Sequence, residues 1–128
     1  MEEKMLRKTL KVEEENLAVA MGSGSLMVLA TPAVVALMEG AAAELAQQVL
    51  DNEEYTTVGT MINIEHISPT PIAAEVEAVA MLKEVDGRNF YFEVSASDAK
   101  GIIAKGTHNR VSVNAEKFQM KADGKFDD

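Results

Sequence analysis

Residues 31–50 read TPAVVALMEGAAAELAQQVL, and this stretch decides the fold. Threonine is a good N-cap, and proline is favoured at the first helical position, where its missing N–H removes no bond. At about 100° per residue the polar positions Glu44, Gln47, Gln48 and Asp51 gather on one side. Ala, Val, Leu and Met fill most of the remainder. The spacing predicts one long apolar helix over 31–50 with Thr31 as its N-cap. Ala41, Ala42 and Ala43 leave room for a neighbouring backbone to come close.

Beyond Asp51-Asn52-Glu53-Glu54 the period changes from helical to alternating. Over 56–67, Val58, Thr60, Ile62, Ile64 and His66 fall on one face, read as the core face, and Asn63 and Glu65 on the other. Ser68-Pro69-Thr70-Pro71 interrupts the strand. A long strand is expected over 72–85, a hairpin turn at Asp86-Gly87, and strands over 89–97 and 102–113. Upstream, 8–12 reads as a strand with Leu10 and Val12 on one face. Glu13-Glu14-Glu15 reads as a solvated turn, and Met21-Gly22-Ser23-Gly24-Ser25 as a flexible loop. From about 119 onward a charged tail is expected to fray. One strand, one long helix and four further strands joined largely by turns make an α+β domain over 1–128, with the helix laid across an antiparallel sheet. A sheet wrapped around a central helix is the hot-dog arrangement. Its edge strands need cover, which a second copy supplies economically.

Composition narrows the function. The chain has 128 residues, 47% of them hydrophobic, which is enough for one core without staples. Its formal net charge of −9 argues against nucleic acid, because phosphate binding needs a basic surface. An anionic ligand therefore needs a local basic patch. There is no cysteine, so disulfides, Cys metal sites and a thiol nucleophile are excluded together. The start, Met1-Glu2-Glu3-Lys4-Met5, lacks a signal-peptide pattern, and the near-apolar run 26–38 is too short to cross a membrane. The expectation is a cytoplasmic protein with no membrane partner.

Three residues carry candidate chemistry. Glu39 lies nine positions before Gln48, about half a turn away around the helix from it, among Val35, Ala36, Ala42 and Ala43. A carboxylate on an apolar face is unusual; it reads either as a site residue or as a group snorkelling at a rim. His66 shares the presumptive core face, as a packed core histidine or as a general base. Thr31 reads as a cap, or as a hydroxyl set where free helix N–H groups favour developing negative charge. His108 is a weaker candidate, read first as a hydrogen-bonded strand histidine. No metal-ligand spacing, phosphate loop or nucleophile elbow is present.

Several short pieces in order resemble one family. They are Ala30-Thr31 with Leu37-Met38-Glu39, Val58-Gly59-Thr60, His66 with Thr70-Pro71, Gly106-Thr107-His108-Asn109-Arg110, and Glu116-Lys117-Phe118. Together the chain resembles the fluoroacetyl-CoA thioesterase family of hot-dog proteins. The resemblance implies hydrolysis of an acyl-CoA thioester by Thr31, Glu39 and His66. It places the family's glycine near the reacting carbonyl on Gly59, with Thr60 beside it in a substrate-binding role. It also implies a homodimer with sites at the subunit interface, and no metal or cofactor. The family's fluoroacetate-selective member carries lid phenylalanines before the threonine. Here 22–28 holds no aromatic residue, so a different acyl group is expected. Two rival readings share the fold: a non-catalytic acyl-CoA or small-ligand binding module, and an enoyl-thioester hydratase.

Overall fold

A computed structural model describes residues 4–127. β1 (Lys4–Lys11) leads through a 3-10 turn (Glu14–Asn16) and the single-turn α1 (Ala18–Met21) to α2 (Thr31–Leu50). Then come β2 (Tyr55–His66), β3 (Glu75–Asp86), β4 (Asn89–Asp98), β5 (Gly101–Asn114) and α3 (Ala115–Asp123). The strands form one antiparallel sheet in the order β1-β3-β4-β5-β2, so β1 and β2 are its edges.

α2 lies across one face of this sheet because its buried residues recur in pairs every four positions. Ala33 and Val34, Leu37 and Met38, Ala41 and Ala42, and Leu45 and Ala46 are all buried. Such a stripe is what a helix needs to cover a sheet. The alanines bring the helix close to a sheet floor that is itself partly alanine: Ala78, Ala80, Ala96 and Ala104 are buried beside Val76, Phe92, Val94 and Ile103. By length and composition α2 would also pass for a membrane span, but its apolar stripe is taken up by the sheet.

Four details differ from the sequence expectation. Thr31 is not the N-cap: Ala30 takes that extended position, and Thr31 is the first helical residue, its side chain turned away from the helix N–H groups. In β2, Gly59 pairs with Arg110 and Met61 with Asn109, so Thr60 is an extra, bulged residue. An inserted residue reverses strand parity. Thr57 and Gly59 therefore share the helix-facing side with Arg110 and Ser112, while Ile62, Ile64 and His66 share it with His108, Gly106 and Ala104. Val58 and Thr60 do not. Next, β3 starts at Glu75 rather than 72, because Ala73 adopts a left-handed φ of 75° and gives its N–H to the Val12 carbonyl. Finally, 119–123 does not fray. It continues α3, whose start is capped by the Asn114 side chain accepting the Lys117 N–H at 3.0 Å. Asp128 lies outside the described residues.

The connection from β2 to β3 must cross the sheet from one edge toward the other. It passes the ends of β5 and β4 and is tied to them. Ile67 and Ser68 both donate to the Ile103 carbonyl, and the fully buried Thr70 hydroxyl donates to Asp98 Oδ2 at 2.8 Å. Asp98 Oδ1 accepts the Lys100 N–H. That N–H, and then the Thr70 hydroxyl, hold the Asp98 carboxyl below its usual pKa. The Thr70 carbonyl accepts the N–H of Leu29, two residues before α2. The end of β2 and the start of α2 are thereby fixed to one another.

Candidate active site

At that junction sit Thr31 and His66. Leu29 bridges to Leu17, and the Ala30 N–H bonds the Asn16 carbonyl at 2.9 Å, which sets the entry of the helix. His66 is the last residue of β2, on the helix-facing side. Thr31 Oγ1 and His66 Nδ1 are 2.8 Å apart. The other ring nitrogen, Nε2, is buried and has no hydrogen-bond partner among the described residues. A buried polar atom without a partner is costly and marks a place where a ligand or partner belongs. The pair opens on a cavity of about 320 Å³ lined also by Ala18, Val28, Ile67 and Pro69.

Glu39 lies elsewhere. A Cβ built on Gly59 would stand 3.4 Å from Glu39 Oε2, 3.2 Å from His108 Cε1 and 3.5 Å from Arg110 Nη1. Gly59 is thus the floor of a second cluster, where any side chain would crowd the carboxylate. Arg110 is held rigidly: Nε donates to Thr57 Oγ1 and Nη2 to the Thr57 carbonyl, both at 2.8 Å. His108 Nδ1 is 2.8 Å from the Met61 carbonyl, so that nitrogen carries the proton. Nε2 then accepts from Arg110 Nη1 at 3.1 Å. Glu39 is the acid whose charge is felt by both buried bases, and it is itself partly exposed rather than sealed in the core.

Burial is the main reason the His108 pKa falls below its ordinary 6.5; the Met61 carbonyl and Glu39 oppose the shift and the Arg110 charge adds to it. The unfolded chain then binds more protons than the folded one once pH drops below that value. Stability from this group is full above it and declines as pH falls toward the folded pKa. We expect the Tm to drop as pH falls below about 6.5, and His108→Gln to flatten that part of the profile. A thermal-shift series across that range checks it. An unchanged slope in the variant would assign the acid sensitivity to other groups.

Of the residues expected from sequence, the structure brings Thr31 to His66, and Glu39 to Gly59. It does not bring the two pairs together. Eight helical residues separate Thr31 from Glu39, about 12 Å along the axis. Seven strand residues separate Gly59 from His66, roughly 20 Å. Thr60 joins neither pair, since its hydroxyl donates to the Asn109 carbonyl at 3.1 Å. Among the described residues no three acidic or histidine side chains gather into a metal-binding group. Arg110 and Thr57 were not singled out from sequence. The signal was there in part: His108 and Arg110 are two apart, so one buried face takes both. The bulge that turns Thr57 and Gly59 inward was not visible.

The layering of one sheet on one long helix recurs in a hot-dog-like protein from Thermanaerovibrio acidaminovorans. Its TM-score is 0.86 at 20% identity, over 98% of this chain and 92% of that one. The fold class is therefore hot-dog. Within that class, a substituted fluoroacetyl-CoA thioesterase in complex with acetyl-CoA superposes with a TM-score of 0.89 at 28% identity, over 96% of each chain. The fluoroacetyl-CoA thioesterase of Streptantibioticus cattleyicolor is 37% identical over 94 residues, 73% of this chain and 67% of that one. The fluoroacetyl-CoA-specific thioesterase family model matches residues 12–116. The chain belongs to that family.

Proposed function

We propose that the protein is an acyl-CoA thioesterase, releasing a free acid and coenzyme A, and that it acts as a cytoplasmic homodimer with each site built across the subunit interface. The observation that carries this reading is the Thr31–His66 contact of 2.8 Å, the spacing of a nucleophile and its base, in a chain of a thioesterase family. Coenzyme A enters the proposal through a relative solved with acetyl-CoA, and the cytoplasm through the intracellular occurrence of such thioesters.

The edge strand supports the dimer. β2 runs for twelve residues with one side unpaired, and Met61 and Ile62 are exposed along it. An edge of that length invites another strand. We place the two-fold axis at Asn63, one of the positions that keep faces matched, with Ile62 opposite Ile64 of the partner subunit. Counting the bulged Thr60, Gly59 then lies opposite His66 of the partner subunit. Glu39 of one chain meets the threonine–histidine pair of the other, and two complete sites result.

In such a site His66 takes the proton of the attacking hydroxyl, either that of Thr31 or a water aligned by it. Glu39 orients that group or attacks as a carboxylate. The Gly59 N–H, or the Thr31 N–H at the start of α2, holds the oxyanion; Pro32 has no N–H, and those of Ala33 and Val34 are spent on the Ala30 carbonyl. The absence of a side chain at Gly59 lets the thioester carbonyl come close to the strand. Thiol release from a panel of acyl-CoAs, with wild type and Glu39→Gln side by side, tests the proposal. Release that collapses in the variant supports it. A folded dimer that binds acyl-CoA but frees no thiol would instead be a binding module.

A further inference from the structure

We infer that the acyl group taken by this site is an aliphatic chain several carbons long, laid along residues 17–29 beside the Thr31–His66 pair. The inference rests on the thioesterase reading and specifies its substrate class.

Residues 17–29 form a small flap. Leu17 and Leu29 bridge its base, the Ala18 N–H bonds the Val28 carbonyl at 2.8 Å, and the Val19 N–H bonds the Leu26 carbonyl at 3.2 Å. Ala18 and Val28 on the flap, with Ile67 and Pro69 opposite, wall the cavity into which Thr31 and His66 open. Apart from His66 no ionisable side chain lines that cavity, and no aromatic ring does. Its polar groups are His66 and the hydroxyls of Ser23, Thr31 and Ser68, with no lysine or arginine to pair a charged acyl group. A ring would find no stacking surface.

The flap also continues the apolar wall outward. Val19, Leu26, Met27 and Ile67 are half to two-thirds exposed. The Val19–Leu26 hydrogen bond sets two of them side by side, and Met27 follows directly. Val19 adjoins the cavity-lining Ala18 and Met27 the cavity-lining Val28 along the flap, and large apolar side chains exposed together mark a surface that something covers in use. Leucine and methionine adapt to a flexible alkyl chain because they are themselves flexible and polarizable. A two-carbon acyl group would stop at the Thr31–His66 pair and leave this surface wet. A longer chain covers it.

The test is kcat/KM for straight-chain acyl-CoAs from acetyl to dodecanoyl, on wild type and on the double variant Leu26→Ser, Met27→Ser, with the oligomeric state of both recorded. The inference expects kcat/KM to rise about two- to fourfold per added methylene over the first several carbons, the range for moving a CH₂ out of water. It expects the ratio of octanoyl to acetyl turnover to drop at least about tenfold in the variant. A wild-type profile that is flat or falls with chain length overturns the inference while leaving the thioesterase reading standing. So does a variant that dissociates yet keeps its chain-length slope, which would assign the patch to a second copy. Absence of thiol release at every length overturns the thioesterase reading, and this inference with it.

Discussion

Glu39→Gln and His66→Ala are each expected to lower kcat by at least about 100-fold, the low end for losing a positioned acid–base group. The two losses have different origins. His66→Ala removes the only group at hydrogen-bond distance from the Thr31 hydroxyl among the described residues, so the proton of the attacking hydroxyl has nowhere to go. Glu39→Gln keeps the shape of the side chain but removes its charge. Arg110 and His108 stay locked by Thr57 and Met61, so the fold has no reason to change. Circular dichroism should match wild type in the glutamine variant, with Tm at or somewhat below it because buried Arg110 loses a nearby opposite charge. A folded variant with near-normal turnover would remove Glu39 from the mechanism.

Gly106→Val is expected to destabilise the fold severely. A Cβ on Gly106 would fall onto the backbone carbonyl of Asn63, with the Ile64 side chain next at 2.9 Å. Backbone cannot swing aside as a side-chain tip can. The strand pair must part where Ile64 meets Gly106, two pairs short of His66↔Ala104 at the end of the β2–β5 ladder. Overpacking of this kind costs upward of about 3 kcal/mol. In a domain of this size that lowers Tm by on the order of 10 °C or more. Gly40→Ala is the contrasting case. Its new methyl would meet only the Lys8 stem, at 3.3 Å, and alanine is the better helix former. Its stability should stay within about 1 kcal/mol of wild type. Paired thermal melts of the two variants check both statements. A Gly106→Val protein that melts with wild type would show that β2 and β5 can separate at that point at no cost.

Much of the fold was legible because it rests on period and punctuation. The apolar stretch 31–50 has no competing reading, and Asp86-Gly87 and 98–101 turn the chain where glycine and aspartate allow it. The errors fell where a tertiary contact overrides a local rule. Thr31 has the chemistry of a cap, but His66, 35 residues away, takes its hydroxyl. Alternation over 56–67 holds on each side of Thr60 and fails across it, because a bulge leaves no mark in a pattern of Val, Thr and Ile. Of the site, Thr31, Glu39 and His66 stood out as polar groups in apolar company. The separation of Glu39 from His66 was not legible. It depends on helix rise and strand length acting together, and neither residue's neighbours in sequence betray it. Arg110 was hidden because an arginine in a strand ordinarily faces water; only the register with Gly59 turns it inward.

In the proposed dimer each active site joins Glu39 of one chain to Thr31 and His66 of the other. The most direct measurement mixes the two inactive variants, Glu39→Gln and His66→Ala, by co-expression or by refolding together. In a hybrid dimer one site combines the intact glutamate of one chain with the intact histidine of the other, and the second site lacks both. Random assortment makes about half the dimers hybrid, so thiol release should return to about a quarter of the wild-type rate. Mixed protein as inactive as either parent, with hybrid dimers demonstrated to be present, would contradict the account and place the whole mechanism within a single chain.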